Sequence, residues 1–416
     1  MKRLQAWKFE LRTSPEAESR MRRFAGACRY VYNQALALQQ EFYAETSVHP
    51  GYVDLSSLLK EWRTDELTPW LAESPFHTLQ QSLRNLESAW QRHFDSLRQL
   101  KAGNISKNTL VGQPAFKKKG VRDSFRYPDP KQIKLDQASS RIFLPKLGWL
   151  RYRNSREVQG DLRNVTVSRN AGRWFVAIQT EREVVALVHQ STSAIGIDVG
   201  VVRLATLSDG SHVDPVNSFQ RLAGRLHVAQ IKLARKKKFS KNWKKAKAKI
   251  QTLHSRIART RQDYLHKVTS AISKNHAMAV VEDLAIRNMT ASAAGTVEQP
   301  GTNVRQKAGL NRAILDQGWG EFYRQLEYKM LWAGGTIVSV PPQNTSRTCP
   351  ECGHISAENR TTQAVFLCVE CGFTQNADWV AARNILRAGH ARSASHLPAT
   401  TGRPGTIPIE SCGAVA

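Results

Sequence analysis

The hydrophobic positions change period several times along the chain, and each change marks an element. Leu4, Trp7, Phe9 and Leu11 stand among polar neighbours near the start, which predicts an opening strand. From about residue 14, Met21, Phe24, Cys28, Val31, Ala35 and Leu38 recur at three- and four-residue steps, one face of a helix. Leu79, Leu83, Leu86, Trp90, Phe94 and Leu97 repeat the pattern with Arg84, Arg92 and Arg98 between them. Residues 14–112 therefore read as a helical bundle with a basic face. A basic loop, Gly112 to Gly120, follows, and strand patterns return after it. Val165 to Ser168 and Arg173 to Thr180 flank Asn170-Ala171-Gly172, a hairpin signal. Residues 1–13 and 113–190 are expected to form a small β-barrel into which the helices are inserted.

Two short apolar strands, Ala194 to Gly200 and Leu204 to Gly210, begin a further α/β region. Residues 219–275 predict two long helices, Ala277 to Val281 a strand, 311–333 a helix, Gly335 to Val340 a strand, and Ala377 to Ala388 a closing helix. The tail from 390, rich in Ala, Ser, Thr, Gly and Pro, is expected to be disordered.

Composition narrows the partner. The chain has 416 residues, enough for two to four domains, with 61 Lys and Arg against 34 Asp and Glu, a formal charge of +27. A compact domain tolerates such self-repulsion poorly unless a polyanion neutralises it, so nucleic acid is the expected partner. The charge concentrates: residues 232–249 hold ten Lys or Arg and no acid. A solvated helix face is the bland alternative there. A phosphate-tracking surface is the expectation, carried by Lys236, Lys237, Lys238, Lys244 and Lys245. No apolar run approaches the roughly 18 residues a spanning helix needs, and the N-terminus lacks an apolar signal core. Six cysteines in this length do not make a disulfide framework. A cytoplasmic polynucleotide binder is expected, not a secreted or membrane-spanning protein.

Four of the cysteines form a pattern. Cys349-Pro350-Glu351-Cys352-Gly353 is echoed by Cys368-Val369-Glu370-Cys371-Gly372, with fifteen residues between the pairs. Each pair can turn tightly and aim two thiolates at one point, and four thiolates are what a closed structural Zn²⁺ site requires. With every position taken by sulfur, one zinc ion would hold a ribbon together without catalysing anything. Cys28 and Cys412 lack such partners, and Cys28 falls on the apolar helix face.

Three acids stand out by position. Asp198 interrupts an apolar strand, Glu282 ends another, and Asp378 opens the last helix, where an N-cap role is the first expectation for it alone. Spacing does not show that they meet. If they do, each pair repels by about 4 kcal/mol at 4 Å and an effective dielectric of 20, and divalent cations make the cluster tenable. Two Mg²⁺ ions held there would clamp the attacking and leaving oxygens of a phosphodiester.

The order Gly196-Ile197-Asp198-Val199-Gly200, Val280-Val281-Glu282-Asp283-Leu284, a four-cysteine ribbon, then Asp378 with Ala381-Ala382-Arg383-Asn384-Ile385-Leu386, resembles the RuvC-type nuclease of the TnpB family. Those proteins are encoded by bacterial insertion sequences and are similar to type V CRISPR effectors. Tyr30-Val31-Tyr32-Asn33, Pro114 to Lys119, Leu144 to Gly148, Arg261 to Lys267 and Gly318 to Phe322 agree with it, so the resemblance spans about residues 5–390. It implies an RNase H-like RuvC domain (191–344 and 376–389) with an inserted zinc ribbon (345–375) that binds target nucleic acid. It also implies a wedge barrel (1–13 and 113–190), a helical recognition domain (14–112) and a tail (390–416). Asp198, Glu282 and Asp378 would be the catalytic triad holding two Mg²⁺, and Cys349, Cys352, Cys368 and Cys371 the zinc ligands.

The implied function is an RNA-guided double-stranded DNA endonuclease. Its guide would be a transposon-derived RNA (ωRNA), its target would carry a short adjacent motif, and it would act as a monomer in a bacterial, nucleoid-associated ribonucleoprotein. Tyr52, Ser56 and Gln80 match the family's motif-reading positions, and Lys117, Lys118 and Lys119 its basic loop. One departure is Val380, where the family often carries an asparagine, so the support of Asp378 is expected to differ. The competing functions are an RNA-guided repressor without cleavage, a strand-transferring transposase, and a small CRISPR effector that uses crRNA.

Overall fold

The computed structural model describes residues 2–46, 49–185, 187–296 and 298–394. The chain divides after Val185 into two compact units. The tail's residues 395–416, Cys412 among them, lie outside the described residues.

The first unit begins with β1 (Lys2–Arg12), whose Trp7, Phe9 and Leu11 are buried on one side of the pleat. Three helices follow: α1 (Pro15–Thr46), α2 (Tyr52–Thr64) and α3 (Phe76–Lys101). The stripe Met21, Phe24, Cys28, Val31 and Ala35 is buried as the spacing predicts. On α3 the buried apolar positions stop at Trp90, the buried face continues with His93 and Ser96, and Phe94 stays exposed against the Trp90 ring at 5.5 Å. The remaining strands are β2 (Ser124–Tyr127), β3 (Lys134–Asp136), β4 (Arg141–Leu144), β5 (Gly148–Tyr152), β6 (Asp161–Asn170) and β7 (Arg173–Glu183). The expected hairpin is β6–β7, and its two turn residues take positive φ, Ala171 at 47° and Gly172 at 84°, which suits the strand twist.

The strands form a seven-stranded antiparallel sheet in the order β2-β6-β7-β1-β5-β4-β3. Among the described residues its end strands β2 and β3 do not pair with each other, so strand pairing alone does not close the expected small barrel. Strand β1 holds the two halves together by pairing with β7 along most of its length and with β5 at Leu11 and Arg12. One hydrophobic cluster runs from the helices into the sheet, so the inserted helices have no separate core.

The second unit contains β8 (Ala194–Val199), β9 (Ala205–Leu207), β10 (His212–Val213), α4 (Ala223–Ala234), α5 (Lys241–Asn275), β11 (Met278–Glu282), α6 (Ile286–Met289), α7 (Val304–Gln317), α8 (Trp319–Ala333), β12 (Thr336–Val340), β13 (Val365–Leu367), β14 (Thr374–Asn376) and α9 (Ala377–Ala394). The main sheet is mixed, in the order β10-β9-β8-β11-β12, with β8, β11 and β12 parallel. Two expectations are corrected. The single helix over 311–333 is two, because Gly318 adopts φ 76° between α7 and α8. The closing helix continues to Ala394, five residues into the segment assigned to the tail. No described helix is long and apolar enough to cross a membrane.

Candidate active site and zinc ribbon

Asp198 and Glu282 sit at the C-terminal ends of neighbouring parallel strands. The β8–β11 register pairs Ile197 with Val281, so the next residue of each strand is one of the two acids. The crevice beyond the carboxyl ends of parallel strands is where open α/β sheets place their ligands. Helix α9, which carries Asp378, packs across β8, β9, β11 and β12. It comes close because Gly196 has no side chain: a Cβ there would fall 2.1 Å from the Ala382 carbonyl oxygen.

Both other acids act on Asp198. Burial, then the charges of Glu282 and Asp378, push the Asp198 carboxyl up to about 8. Burial likewise raises Glu282, against a hydrogen bond from Thr345 Oγ1 to its Oε1 at 2.6 Å. The tight four-atom cluster found at the cysteines has no counterpart at the carboxylates among the described residues. Carboxylate oxygens are the hard donors that Mg²⁺ takes, and Asp198 and Glu282 offer them at adjacent strand ends.

Asp378 is not the N-cap. Asn376 takes that role, its Oδ1 accepting from the backbone N–H of Asp378 at 3.1 Å and of Trp379 at 3.2 Å. This leaves the Asp378 carboxylate free to lie 3.8 Å from the guanidinium of Arg360.

In the ribbon, the Sγ atoms of Cys349 and Cys371, and of Cys352 and Cys368, are 3.6 Å apart, and all four sulfurs lie within 4.8 Å of one another. That is too far for disulfides, and it matches the sulfur spacing of about 3.8 Å set by a tetrahedral ion with 2.3 Å zinc–sulfur bonds. The two turns are alike: Gly353 N–H donates to the Cys349 carbonyl and Gly372 N–H to that of Cys368, at 3.0 and 2.9 Å, with φ of 79° and 74°. The four-cysteine cluster fits a structural zinc.

The sequence-singled contacts are also placed. Gln80 on α3 donates to Ser56 Oγ on α2 at 3.3 Å, and Tyr52 lies one turn before Ser56 with the Arg84 guanidinium 4.8 Å from its ring centroid. These residues converge, half-buried. Lys117 is held by Asn33, whose side chain bonds both its N–H and its carbonyl at 2.8 and 3.0 Å, and its ammonium lies 3.8 Å from the Tyr32 ring centroid. Lys118 and Lys119 are exposed, as are Lys236, Lys237, Lys238, Lys244 and Lys245 around the α4–α5 turn.

The chain matches three families: OrfB_IS605, described as "Probable transposase", over residues 165–293; a Cas12f1-like TNB domain over 319–385; and a "Helix-turn-helix domain" over 1–47. It is 54% identical, over 97% of its own length and 97% of the other, to the Escherichia coli protein named "Putative RNA-guided DNA endonuclease InsQ". The chain belongs to the TnpB family. A Streptomyces pristinaespiralis relative named "Putative RNA-guided DNA endonuclease" is 30% identical over 94% of this chain and 90% of that one. A solved structure titled "Cryo-EM structure of the Cas12f1-sgRNA-target DNA complex" shares the fold at 13% identity, with a TM-score of 0.54 over 92% of this chain and 98% of that one. Within this TnpB-family chain the described residues of that segment, 2–46, form a strand and one long helix, with no turn between two helices among them.

Several residues at the site escaped sequence reasoning. Arg360 and Thr345 touch Asp378 and Glu282, and Asn384, buried on α9, donates to the carbonyls of Thr345 and Thr348, both at 2.8 Å. Asn359, fully buried, ties Arg347, His354 and Val369 together beside Arg360. Val380 is fully buried in a cluster with Cys349, Phe366, Cys368 and Ala377, so its side chain packs in the ribbon's core.

Proposed function

We propose that this chain is an RNA-guided endonuclease that cuts both strands of double-stranded DNA. Its guide is a transposon-derived RNA, and its target carries a short adjacent motif. The observation that carries the reading is the parallel register that sets Asp198 beside Glu282 under the helix bearing Asp378. Relatives similar along nearly their whole length are named RNA-guided DNA endonucleases, which supports it.

In this reading Asp198, Glu282 and Asp378 hold two Mg²⁺ ions. Bound there, the ions would supply Lewis-acid polarisation of the phosphodiester and an activated water. Thr345 fixes the rotamer of Glu282 through its hydroxyl. Arg360, paired loosely with Asp378, is placed to meet a non-bridging phosphate oxygen. Cys349, Cys352, Cys368 and Cys371 hold one zinc ion that shapes the ribbon. The basic loop at Lys117–Lys119 and the lysines of the α4–α5 turn track phosphates, while Tyr52, Ser56 and Gln80 read the adjacent motif. The sheet around β1 and β5–β7 serves as the wedge, helices α1–α3 as the recognition domain, and 191–344 with α9 as the RuvC-like domain. The site of action is bacterial DNA inside the cell, with one chain per guide.

The test pairs a cleavage assay with a gel-shift assay on the protein loaded with its co-purifying RNA. Asp198→Ala, Glu282→Ala and Asp378→Ala each abolish cutting of both strands, because one set of acids serves both, and guided binding survives. Cutting of either strand by Asp198→Ala at the wild-type rate overturns the assignment. Wild-type protein that binds its guided target but never cuts with Mg²⁺ or Mn²⁺ would instead be a repressor.

A further inference from the structure

We propose that the α4–α5 turn holds an unpaired nucleotide of the guide RNA, its base against Trp243 and Phe239 and its phosphates on Lys236 and Lys238. The proposal rests on the guided-nuclease reading for the identity of the RNA and on the geometry of the turn for the pocket.

A cavity of about 350 Å³ opens at this turn, lined by Gln230, Leu233, Ala234, Lys236, Lys238 and Trp243. Its wall is mixed: an indole and two aliphatic side chains, one amide with both donor and acceptor, and two ammonium groups. Ser240 caps α5 by accepting from the Trp243 N–H at 3.1 Å, which fixes the backbone that carries the indole. Phe239 sits beside it, with ring centroids 5.5 Å apart, and is 67% exposed. It takes φ 68°, a conformation that costs a side chain energy and that no burial of the ring offsets. Lysines flank both rings: Lys238 Nζ is 5.3 Å from the Phe239 centroid and Lys247 Nζ 5.1 Å from that of Trp243.

A duplex needs only the lysines, since its bases are stacked and their faces are closed to side chains. The exposed Phe239 ring beside a half-buried Trp243, inside a patch of ten cations and no acid, suits an unpaired base, whose π-face stacks while its phosphates find the ammonium groups. The amide of Gln230 can pair with the base edge. An acidic protein partner would use the charge but not the two aromatic faces, which are tilted 59° to each other.

Position favours the guide over the DNA. The pocket lies at the start of α5, and twenty residues of that helix, roughly 30 Å, separate Lys241 from Arg261, which meets the Leu315 carbonyl close to Trp319 and its bond to Gly200. A strand seated there is remote from the carboxylates that would cut it, which fits the strand that must be kept.

The experiment is ultraviolet cross-linking of the full chain purified from a bacterial host with its nucleic acid bound, followed by mass spectrometry of the peptides spanning Phe239 and Trp243. A ribonucleotide adduct there is expected; a deoxyribonucleotide adduct, or none, overturns the proposal. In parallel, RNA-free full chain is titrated with a 20-nucleotide oligoadenylate RNA and with a 20-base-pair DNA duplex. Phe239→Ala weakens RNA binding about tenfold, as loss of a stacked base does. The slope of log affinity against log salt stays unchanged, because stacking releases no counterions. Phe239→Tyr restores the affinity. Phe239 is exposed, so its variants fold, and Trp243→Leu should match Phe239→Ala in direction. An equal loss on the duplex, or an unchanged affinity for the RNA, defeats the pocket. Neither readout involves cleavage, so a failed nuclease assay and a failed pocket remain distinguishable.

Discussion

Replacing Asp198 by asparagine should stabilise the protein in the absence of Mg²⁺, and only at neutral and alkaline pH. Asp198 is the most perturbed of the three acids, pushed up to about 8 from 3.8 by burial and by the charges of Glu282 and Asp378. Its folded-state value is raised, so between about pH 4 and 8 the folded chain binds a proton that the unfolded chain has lost. Stability therefore falls as pH rises through that window and levels off above it. At about 1.4 kcal/mol per unit the full penalty is on the order of 5 kcal/mol. Even a third of it would move the melting of the second unit by several degrees. The assay is a thermal melt of zinc-loaded protein, dialysed free of Mg²⁺ without a chelator, from pH 4.5 to 9. Asp198→Asn should melt together with wild type near pH 4.5 and progressively above it towards pH 8.5. Added Mg²⁺ should raise wild type more than the variant, because the ions bind the charged form. A difference in melting temperature that is the same at pH 5 and pH 9 would refute the electrostatic reasoning.

Three further outcomes are expected. Cys349→Ser should lower bound zinc from one equivalent to below about half and loosen the ribbon, read by elemental analysis and by proteolysis between residues 345 and 375. Thr345→Val keeps the shape but removes the hydroxyl at Glu282; it should raise the Mg²⁺ concentration needed for half-maximal cleavage several-fold and weaken Mn²⁺ binding measured directly, while Thr345→Ser restores both. Val380→Asn should destabilise the protein by about 1–3 kcal/mol, because it puts an unpartnered amide into the ribbon core; a melting temperature at or above wild type would show that the amide finds a partner there.

What the sequence disclosed was local. The CxxC pairs, the apolar strand runs that carry Asp198 and Glu282, and the α1 stripe are local features, where period and spacing carry the physics. What it hid depends on contacts across long stretches of chain. Thr345 meets Glu282 from 63 residues away, and Asn384 reaches back 39 residues to Thr345. A lone threonine or asparagine has no periodicity to announce such a partner. Phe94 left the apolar stripe because Trp90 offered it a stacking surface at the helix margin. Gly318 stands inside a run whose spacing predicts one helix, yet its φ of 76° divides that run into α7 and α8. An open sheet and a barrel share the same alternation, since closure is decided by whether β2 meets β3 and not by either strand's own residues.

In the proposed mechanism helix α9 ties the cysteine cluster to the carboxylates, although a zinc ion bound by four sulfurs would have no open position. Its Ala382 backbone presses on Gly196, two residues before Asp198, and its Asp378 stands in the first turn. Val380 of the same turn is part of the core that contains Cys349 and Cys368. One turn further on, Asn384 holds the carbonyls of Thr345 and Thr348, and Thr345 in turn holds Glu282. Arg360 reaches Asp378 from the ribbon beside the buried Asn359. A ribbon without its ion would free Val380, the 345–348 segment and Arg360 together, so two of the three acids would lose their supports at once. Zinc loss should thus abolish cleavage through position. Adding Mg²⁺ cannot compensate for it, because the added ions would meet carboxylates no longer held in place.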